Sequence, residues 1–399
     1  MKIFFITSKL NFATSGGSIM DIDLKARALQ NLNNEVSIIT AWPGENKIPA
    51  PLPYNIAEEN IPSKRLLTIQ WGVFKILKKY SDQADVFHVD GHLFLYGAGL
   101  YKMLGGQIPI VAHFNRELAC WPANRSIHLK KYSANYPEKI KRKLRWYLER
   151  HIGVPIANHI NLLTFANPIL QKTYENFGLK KGPENFVVGD FIDHEKIIKK
   201  NDVLPDSYIK RNKNTGPLII FHTSRMVPGK GFDTLLTAFS KIKNKEKFQL
   251  VLGGGGPEEA DLHQLANNLK IADRVKFLGW VPTKNIYDYF KKADVFVLPK
   301  CERLEFNSIT LLEAMTFGLP CIVPANGALA WGAGKSAITY QDENCDDLAA
   351  KIQLLGDDPN LRAELSKNCF LTLKQEERDY KKGAARLNEK IQRLFSLKS

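Results

Sequence analysis

Residues 294–320 read Asp294-Val-Phe-Val-Leu-Pro-Lys-Cys-Glu-Arg-Leu-Glu305-Phe-Asn-Ser308-Ile-Thr-Leu-Leu-Glu313-Ala-Met-Thr-Phe-Gly318-Leu-Pro320. The apolar run Val295 to Leu298, closed by Pro299, has the length and composition of a buried strand. A helix is expected to open near Asn307 or Ser308, both good caps, and to stop at Gly318 before Pro320. Its free N–H groups around Ser308, Ile309 and Thr310 would then face whatever lies at the strand's carboxyl end, a ready anion site. Glu305 stands just before that terminus and Glu313 about a turn and a half inside. One carboxylate can accept from one set of hydroxyls and the other from a second, with a phosphate between, the layout a sugar nucleotide requires. Taken singly, each acid also suits an ordinary solvated helix end.

Outward from this stretch the same alternation repeats. Strands are expected near Lys2 to Thr7, Glu35 to Thr40, Val86 to Val89, Ile108 to Ala112 and Asn161 to Phe165, and again near Leu218 to Thr223, Phe248 to Leu252, Val275 to Leu278, Val295 to Leu298 and Cys321 to Val323. Longer stretches of helical period separate them, so the fold class is α/β with parallel sheets. Two series imply two Rossmann-like, doubly wound domains, residues 1–195 and 217–374, facing across a cleft where the carboxyl ends of both sheets meet. The polar, cationic segment 196–216 suits an exposed linker. Residues 375–399 read as a charged C-terminal helix that could pack back on the first domain.

Composition narrows the class. The chain has 399 residues, 44% hydrophobic and 24% charged, with ordinary glycine and proline, which suits a globular protein. No apolar run approaches the roughly 18 residues that span a bilayer, and the N-terminus reads as a first strand and lacks the features of a secretory leader. Five scattered cysteines without a Cys-x-x-Cys pair fit neither a disulfide framework nor a zinc site and point to the cytoplasm. The formal charge of +15 predicts an anionic partner: nucleic acid, membrane surface or a phosphorylated substrate.

Further loops at strand ends carry charge or glycine. Thr223-Ser-Arg225-Met-Val-Pro-Gly-Lys230-Gly231 offers a planar guanidinium fork and a mobile ammonium that together can neutralise a diphosphate, or serve as two surface cations. Leu252-Gly-Gly-Gly-Gly-Pro257 lets a backbone approach a ligand, and Ser15-Gly16-Gly17-Ser18 is a flexible loop opening the first helix. Asp21-Ile-Asp23 has the spacing of a metal-binding pair, but on a helix its members point away from each other, so no metal is expected. His88, Asp90 and His92 follow the third strand and suit either an acceptor site or ordinary packing.

These residues resemble the GT-B glycosyltransferases of family 4, retaining enzymes that use nucleotide sugars. Glu305 and Glu313 match the family's E-x7-E element, Arg225 to Gly231 its Arg-x4-Lys-Gly element, Gly254-Gly-Gly256-Pro257 its G-D-G-P turn, and Val275-Lys-Phe-Leu-Gly-Trp-Val281-Pro282 the segment lining its base pocket. Gly16 and Gly17 look like its glycine loop and His113 like its active-site histidine. The resemblance implies that Glu313 holds the ribose, Glu305 the donor-sugar hydroxyls, and Arg225 with Lys230 the diphosphate. It places His113 beside the anomeric carbon. Asn307, Ser308 and Ile309 complete the donor site. The expected reaction moves a hexose from a UDP- or GDP-sugar to a saccharide or lipid-linked acceptor, in polysaccharide or glycolipid synthesis, with no metal or other cofactor and no nucleic acid. A sugar-nucleotide epimerase and a catalytically silent scaffold of the same fold are the rival readings. The chain has Phe306-Asn-Ser308 where the family usually has Gly-Phe-Gly, and Asn326-Gly-Ala-Leu-Ala330 in place of a Gly-Gly-x-x-Glu turn.

From Arg125 to Arg150 nine cations face two acids, and Ile140, Leu144, Tyr147 and Leu148 recur at helical spacing. Two readings follow: a core helix with a basic outer face, or a face that docks peripherally on the anionic cytoplasmic side of a membrane.

Overall fold

The computed structural model describes residues 1–13, 17–48, 51–91, 94–115, 140, 143–144, 146–182, 185–205, 216–299, 308–325, 327–375 and 378–396. Its first half holds a seven-stranded sheet in the order β3-β2-β1-β4-β5-β6-β7, formed by Lys2–Thr7, Glu35–Thr40, Asn55–Glu58, Val86–Asp90, Ile110–Phe114, Leu162–Phe165 and Phe186–Val187 as β1 to β7. Every pairing is parallel. The second half holds a six-stranded parallel sheet, β10-β9-β8-β11-β12-β13, from Leu218–Thr223, Phe248–Gly253, Val275–Phe277, Val295–Val297, Cys321–Pro324 and Ala337–Tyr340 as β8 to β13.

Both sheets are covered on two faces, so their central strands are mostly apolar, and His88, Asp90, His113 and His222 are buried polar exceptions in β4, β5 and β8. On one side of the first sheet lie α2 (Leu66–Lys79), α3 (Leu95–Met103), the short α4 (Val154–Ala157) and α5 (Pro168–Asn176), sharing a core through Val73, Leu95, Val154 and Leu170. On the other side α1 (Gly17–Gln30) packs through Ile22 and Leu29. The second half adds α6 to α13, formed by His194–Lys200, Phe232–Ser240, Glu259–Asn268, Thr283–Lys292, Ile309–Thr316, Ala328–Ala333, Cys345–Asp357 and Pro359–Leu373, and the C-terminal helix α14 (Tyr380–Ser396) returns to complete that face of the first sheet. Its Ala384, Leu387 and Ile391 are buried there, and Asn34 Nδ2 donates to Asn388 Oδ1 at 2.8 Å.

Each sheet reverses its strand order once, between β1 and β4 and between β8 and β11. These are the points where open α/β sheets leave a crevice at their carboxyl edge. In the second half the crevice is bordered by the loop after β8, which leads to α7 (Phe232–Ser240), and by the start of α10 (Ile309–Thr316) after β11.

Four sequence expectations change. The strand expected over 108–112 is set two residues later, because Pro109 has no N–H to donate, and pairing begins at Ile110, whose N–H reaches Asn161 Oδ1 at 3.0 Å. Strands β3, β7 and β13 join as short additions at the sheet edges. The stretch expected to be an exposed linker from residue 196 starts as a helix, α6 (His194–Lys200), capped by Asp193 and packed by Ile197 and Ile198 on the core of the second sheet. Finally, Ile140, Leu144, Tyr147 and Leu148 do not form a core stripe: all four are 41–59% exposed, while Glu149 and Gly153 of the π-helical turn Glu149–Gly153 face inward.

Candidate active site

α10 begins where the sequence places it. Ser308 is its N-cap, with Oγ accepting from Leu311 N at 3.3 Å, and Gly318 leaves the helix with φ of 67°. Ser308 and Ile309 are both partly buried. Glu305 and Asn307 lie outside the described residues, as do Gly16 and His92. Glu313, within α10, meets the hydroxyl of Tyr287 on α9 (Thr283–Lys292), which donates to its Oε1 at 3.4 Å. Burial raises the Glu313 carboxyl to about 7, the Tyr287 hydroxyl opposing it, and burial raises the phenol as well. Val281 and Tyr287 both pack against the apolar cluster behind this pair.

Arg225 is exposed and Lys230 partly buried on the loop after β8. The loop is tightly made: Lys230 N donates to Val227 O at 3.2 Å, and Gly229 and Gly231 take positive φ of 87° and 75°. Gly231 opens α7. His222 beneath it is fully buried, with Nδ1 2.9 Å from Val297 O and its pKa depressed to about 3 by burial.

The glycine turn after β9 has a structural task beyond openness. A Cβ on Gly254 would stand 1.7 Å from Ser224 O, and one on Gly256 2.3 Å from Met226 O. Backbone bonds Ser224 N to Gly253 O (3.1 Å), Met226 N to Gly255 O (2.9 Å) and Gly254 N to Gly279 O (2.8 Å) lace three loops together. The approach that these glycines permit is therefore between neighbouring loops, and Arg225 sits on the central one.

In the first half Gly17 starts α1 after the glycine loop. His113 is not at the end of its strand but within β5, fully buried, with Nδ1 3.0 Å from Thr164 Oγ1. Nε2 has no hydrogen-bond partner among the described residues. Burial, then Lys25, then His88 push its pKa well below the usual imidazole value, so the ring is neutral. Asp21 and Asp23 do point apart on α1: Asp21 pairs with Lys25 at 2.6 Å, and Asp23 with Arg27 at 2.9 Å and the Tyr54 hydroxyl at 2.8 Å. No group of metal-ligating side chains occurs among the described residues.

A small cavity joins the halves, with Gly189 and Asp190 of the first facing Ser308, Leu312, Trp331 and Arg378 of the second. Sequence reading missed Tyr287, Arg378 and Lys25. Arg378 lies over the Trp331 ring and donates Nε to Gly332 O at 3.0 Å, a contact that no local pattern announces. Lys25 does leave a trace, as a cation on the apolar stripe Ile22, Ala26, Leu29 of α1.

Two parallel α/β sheets with a capped helix and a cationic loop at one switch point define the class, and comparison with known proteins gives the family. The model for glycosyl transferases group 1 matches residues 206–370, and that for Glycosyltransferase Family 4 matches residues 22–183. The chain belongs to the family 4 GT-B glycosyltransferases. It is 39% identical over 110 residues to a GDP-mannose-dependent alpha-(1-6)-phosphatidylinositol monomannoside mannosyltransferase of Mycobacterium tuberculosis, covering 26% of this chain and 29% of that one. The chain spans less than half the length of the curated relatives it matches first. In fold it is similar along nearly its whole length to a sucrose-phosphate synthase from Thermosynechococcus elongatus, with a TM-score of 0.74 at 19% identity and 99% of each chain covered. It is also similar to HepE of Anabaena in complex with UDP, with a TM-score of 0.69 at 16% identity and both chains wholly covered.

Proposed function

We propose that the chain moves a hexose from a nucleoside diphosphate sugar to an acceptor hydroxyl, with retention of anomeric configuration, in polysaccharide or glycolipid synthesis. The observation that carries this reading is the Ser308-capped start of α10 beside the Arg225–Lys230 loop at the switch point of the second sheet, with Glu313 inside the same helix. The helix terminus and the two cations stabilise the diphosphate as the bond to the anomeric carbon breaks and its electrons pass to the leaving oxygen. Glu313 accepts from the ribose hydroxyls, and Glu305 from those of the hexose. His113, neutral, orients donor or acceptor by hydrogen bonding. The acceptor oxygen bonds to the anomeric carbon on the face the diphosphate leaves, and its proton passes to the departing diphosphate oxygen. Closure across the cleft excludes water. These positive groups take the place of a metal.

A lipid-linked acceptor at an anionic membrane is supported by the helix layer of the first domain. Leu67 and Trp71 on α2 are 83% and 50% exposed, with Lys75 over the Trp71 ring. The exposed residues Ile140, Leu144, Tyr147, Leu148 and Ile152 recur at helical spacing on the same side of the sheet, with Lys143 and Arg150 among them. Apolar and aromatic side chains fringed by cations are the composition of an interfacial surface. The related mannosyltransferase is named for a phosphatidylinositol substrate, which agrees. No helix among the described residues is long and apolar enough to cross a membrane.

Incubation with a panel of UDP- and GDP-sugars, measuring release of the nucleoside diphosphate, tests the reading. Release that depends on an added acceptor is expected for one donor. Interconversion of the donor sugar without release would establish the epimerase instead, and neither outcome would leave the scaffold.

A further inference from the structure

The first domain hides a charge cluster at the carboxyl edge of its sheet. Lys25 of α1 has a side chain only 1% exposed, with Nζ 2.6 Å from Asp21 Oδ2 and 3.9 Å from Asp90 Oδ2. Its ammonium also lies 5.5 Å from the centre of the Phe191 ring. Asp21 uses its second oxygen to accept from Phe191 N at 2.7 Å, and Asp90 uses its other oxygen to accept from Asn115 Nδ2 at 3.1 Å. One cation thus ties α1, the end of β4 and the segment that leaves β7 for the second domain.

Burying an ammonium is strongly unfavourable unless partners surround it, and an apolar side chain would fill the same place without that cost. The position asks for such a residue, since Ile22, Ala26 and Leu29 on the same helix are all buried hydrophobics. A lysine there needs a task. Its partner Asp90 is the register neighbour of His113 across β4 and β5, so the two side chains share one face of the sheet, along with His88 two residues earlier.

We propose that Lys25 is a positioning residue of the glycosyl-transfer site: its ammonium, set between Asp21 and Asp90, fixes the Asp90 carboxyl at the carboxyl edge of the sheet beside His113. This rests on the reading of the chain as a glycosyltransferase with His113 at the anomeric carbon. The groups that face one another are Asp21 and Lys25 from α1, His88 and Asp90 from β4, His113 from β5 and Asp190 after β7. Burial drives the Asp90 carboxyl upward, Lys25 opposes it, and Asp21 and Asp190 reinforce it. Burial would lower Lys25, yet Asp21, Asp90 and Asp190 together leave it raised. The same ammonium helps to depress both histidines. Without it, Asp90 takes up a proton more readily, and so does His113.

The test compares Lys25→Met, Lys25→Arg, Asp90→Asn and the pair Lys25→Met with Asp90→Asn, using whichever UDP- or GDP-sugar the wild type consumes. Lys25→Met is expected to lower kcat by about tenfold or more with donor KM changed less than about twofold. The acid limb of its pH profile should move up by about one unit, and Lys25→Arg should recover most of both. On the Asp90→Asn background Lys25→Met should cost nothing further. Wild-type kcat in Lys25→Met, an unmoved acid limb, or a full additional loss on the Asp90→Asn background overturns the proposal. If Lys25→Met does not fold, Lys25→Met with Asp21→Asn removes the pair as neutral groups and must show the same loss and shift. Ring-nitrogen NMR of His113, assigned with His113→Gln, needs no turnover: its titration should move to higher pH in Lys25→Met, and an unchanged titration counts against Lys25. Absence of diphosphate release from every donor would sink the transferase reading while this NMR result still decides on the charge.

Discussion

The hydroxyl of Tyr287 and the carboxylate of Glu313 face each other across 3.4 Å, joining α9 to α10 behind the capped helix start. Burial lifts the Glu313 carboxyl from its ordinary value to about 7. A carboxyl with a raised folded pKa favours the fold while protonated, so its contribution is whole below about 4.5 and is lost as pH rises through about 7. In the free protein, Glu313→Gln should flatten this part of the dependence of Tm on pH and raise Tm at pH 8. It should also raise donor KM more than it lowers kcat, because a neutral amide holds ribose hydroxyls less well. A pH dependence of Tm unchanged between pH 4.5 and 8 would show that the carboxyl is not buried as described.

Removing one fixed contact to developing charge typically costs about 3 kcal/mol of transition-state stabilisation. Glu305→Ala and Arg225→Ala should therefore each lower turnover at least about 10²-fold. Steady-state release of the nucleoside diphosphate measures it, and near-normal turnover in Glu305→Ala sinks that assignment.

On the proposed reading EDTA should leave most of the transferase activity in place, because Arg225, Lys230 and the α10 terminus would supply the positive charge at the diphosphate. Asp21 and Asp23 are meanwhile engaged with Lys25 and Arg27. Loss on chelation with recovery in Mn²⁺ would reverse this reading.

Gly254→Ala should be among the most damaging single-methyl additions in the second domain. The new Cβ meets Ser224 O at 1.7 Å, and the backbone holds φ of 122° there. Both oxygen and loop must move, at a cost of about 1–3 kcal/mol or more, seen as a fall in Tm together with weaker donor binding through the displaced Arg225 loop. A Tm within about 1 °C of wild type contradicts the lacing of these loops.

Flotation with vesicles containing anionic lipid tests the exposed helix layer. Each cation near such a surface contributes about 1 kcal/mol, so binding is expected at low salt and release at a few tenths molar NaCl. Charge reversal at Lys139, Lys141, Arg142 and Lys143 should weaken it, and Trp71→Ser should weaken it at both salt levels. Binding retained by both variants would place the contact elsewhere.

The sheets were legible because parallel strands covered on both faces announce themselves as unbroken apolar runs, as in Ile3 to Ile6 and Val295 to Leu298. Edge strands such as Asn55–Glu58 lack that signal, since one side of their ladder is unpaired. Ser308, Glu313 and the Arg225 to Lys230 loop were readable from chain-local grammar of strand, cap and glycine. Tyr287, Arg378 and the Lys25 to Asp90 contact depend on which distant segments meet, and only Lys25 left a mark, a charge where the helix stripe calls for an apolar residue. The stripe at Ile140 to Leu148 shows the converse: period reveals that one face is apolar but not which environment receives it.

The last helix, lying on the first sheet, makes the molecule a loop closed by packing as well as by peptide bonds. The chain passes from first half to second near α6 and returns before α14, so the halves are tethered at two places. Such a double tether permits bending about the line that joins the crossings and resists sliding or separation along it. It also makes the residues of α14 structural partners of those of α1. Cutting the chain before Tyr380 would uncover Ile22 and Leu29, 350 or more positions upstream, and the truncated protein should lose the first sheet's integrity while the second keeps its own.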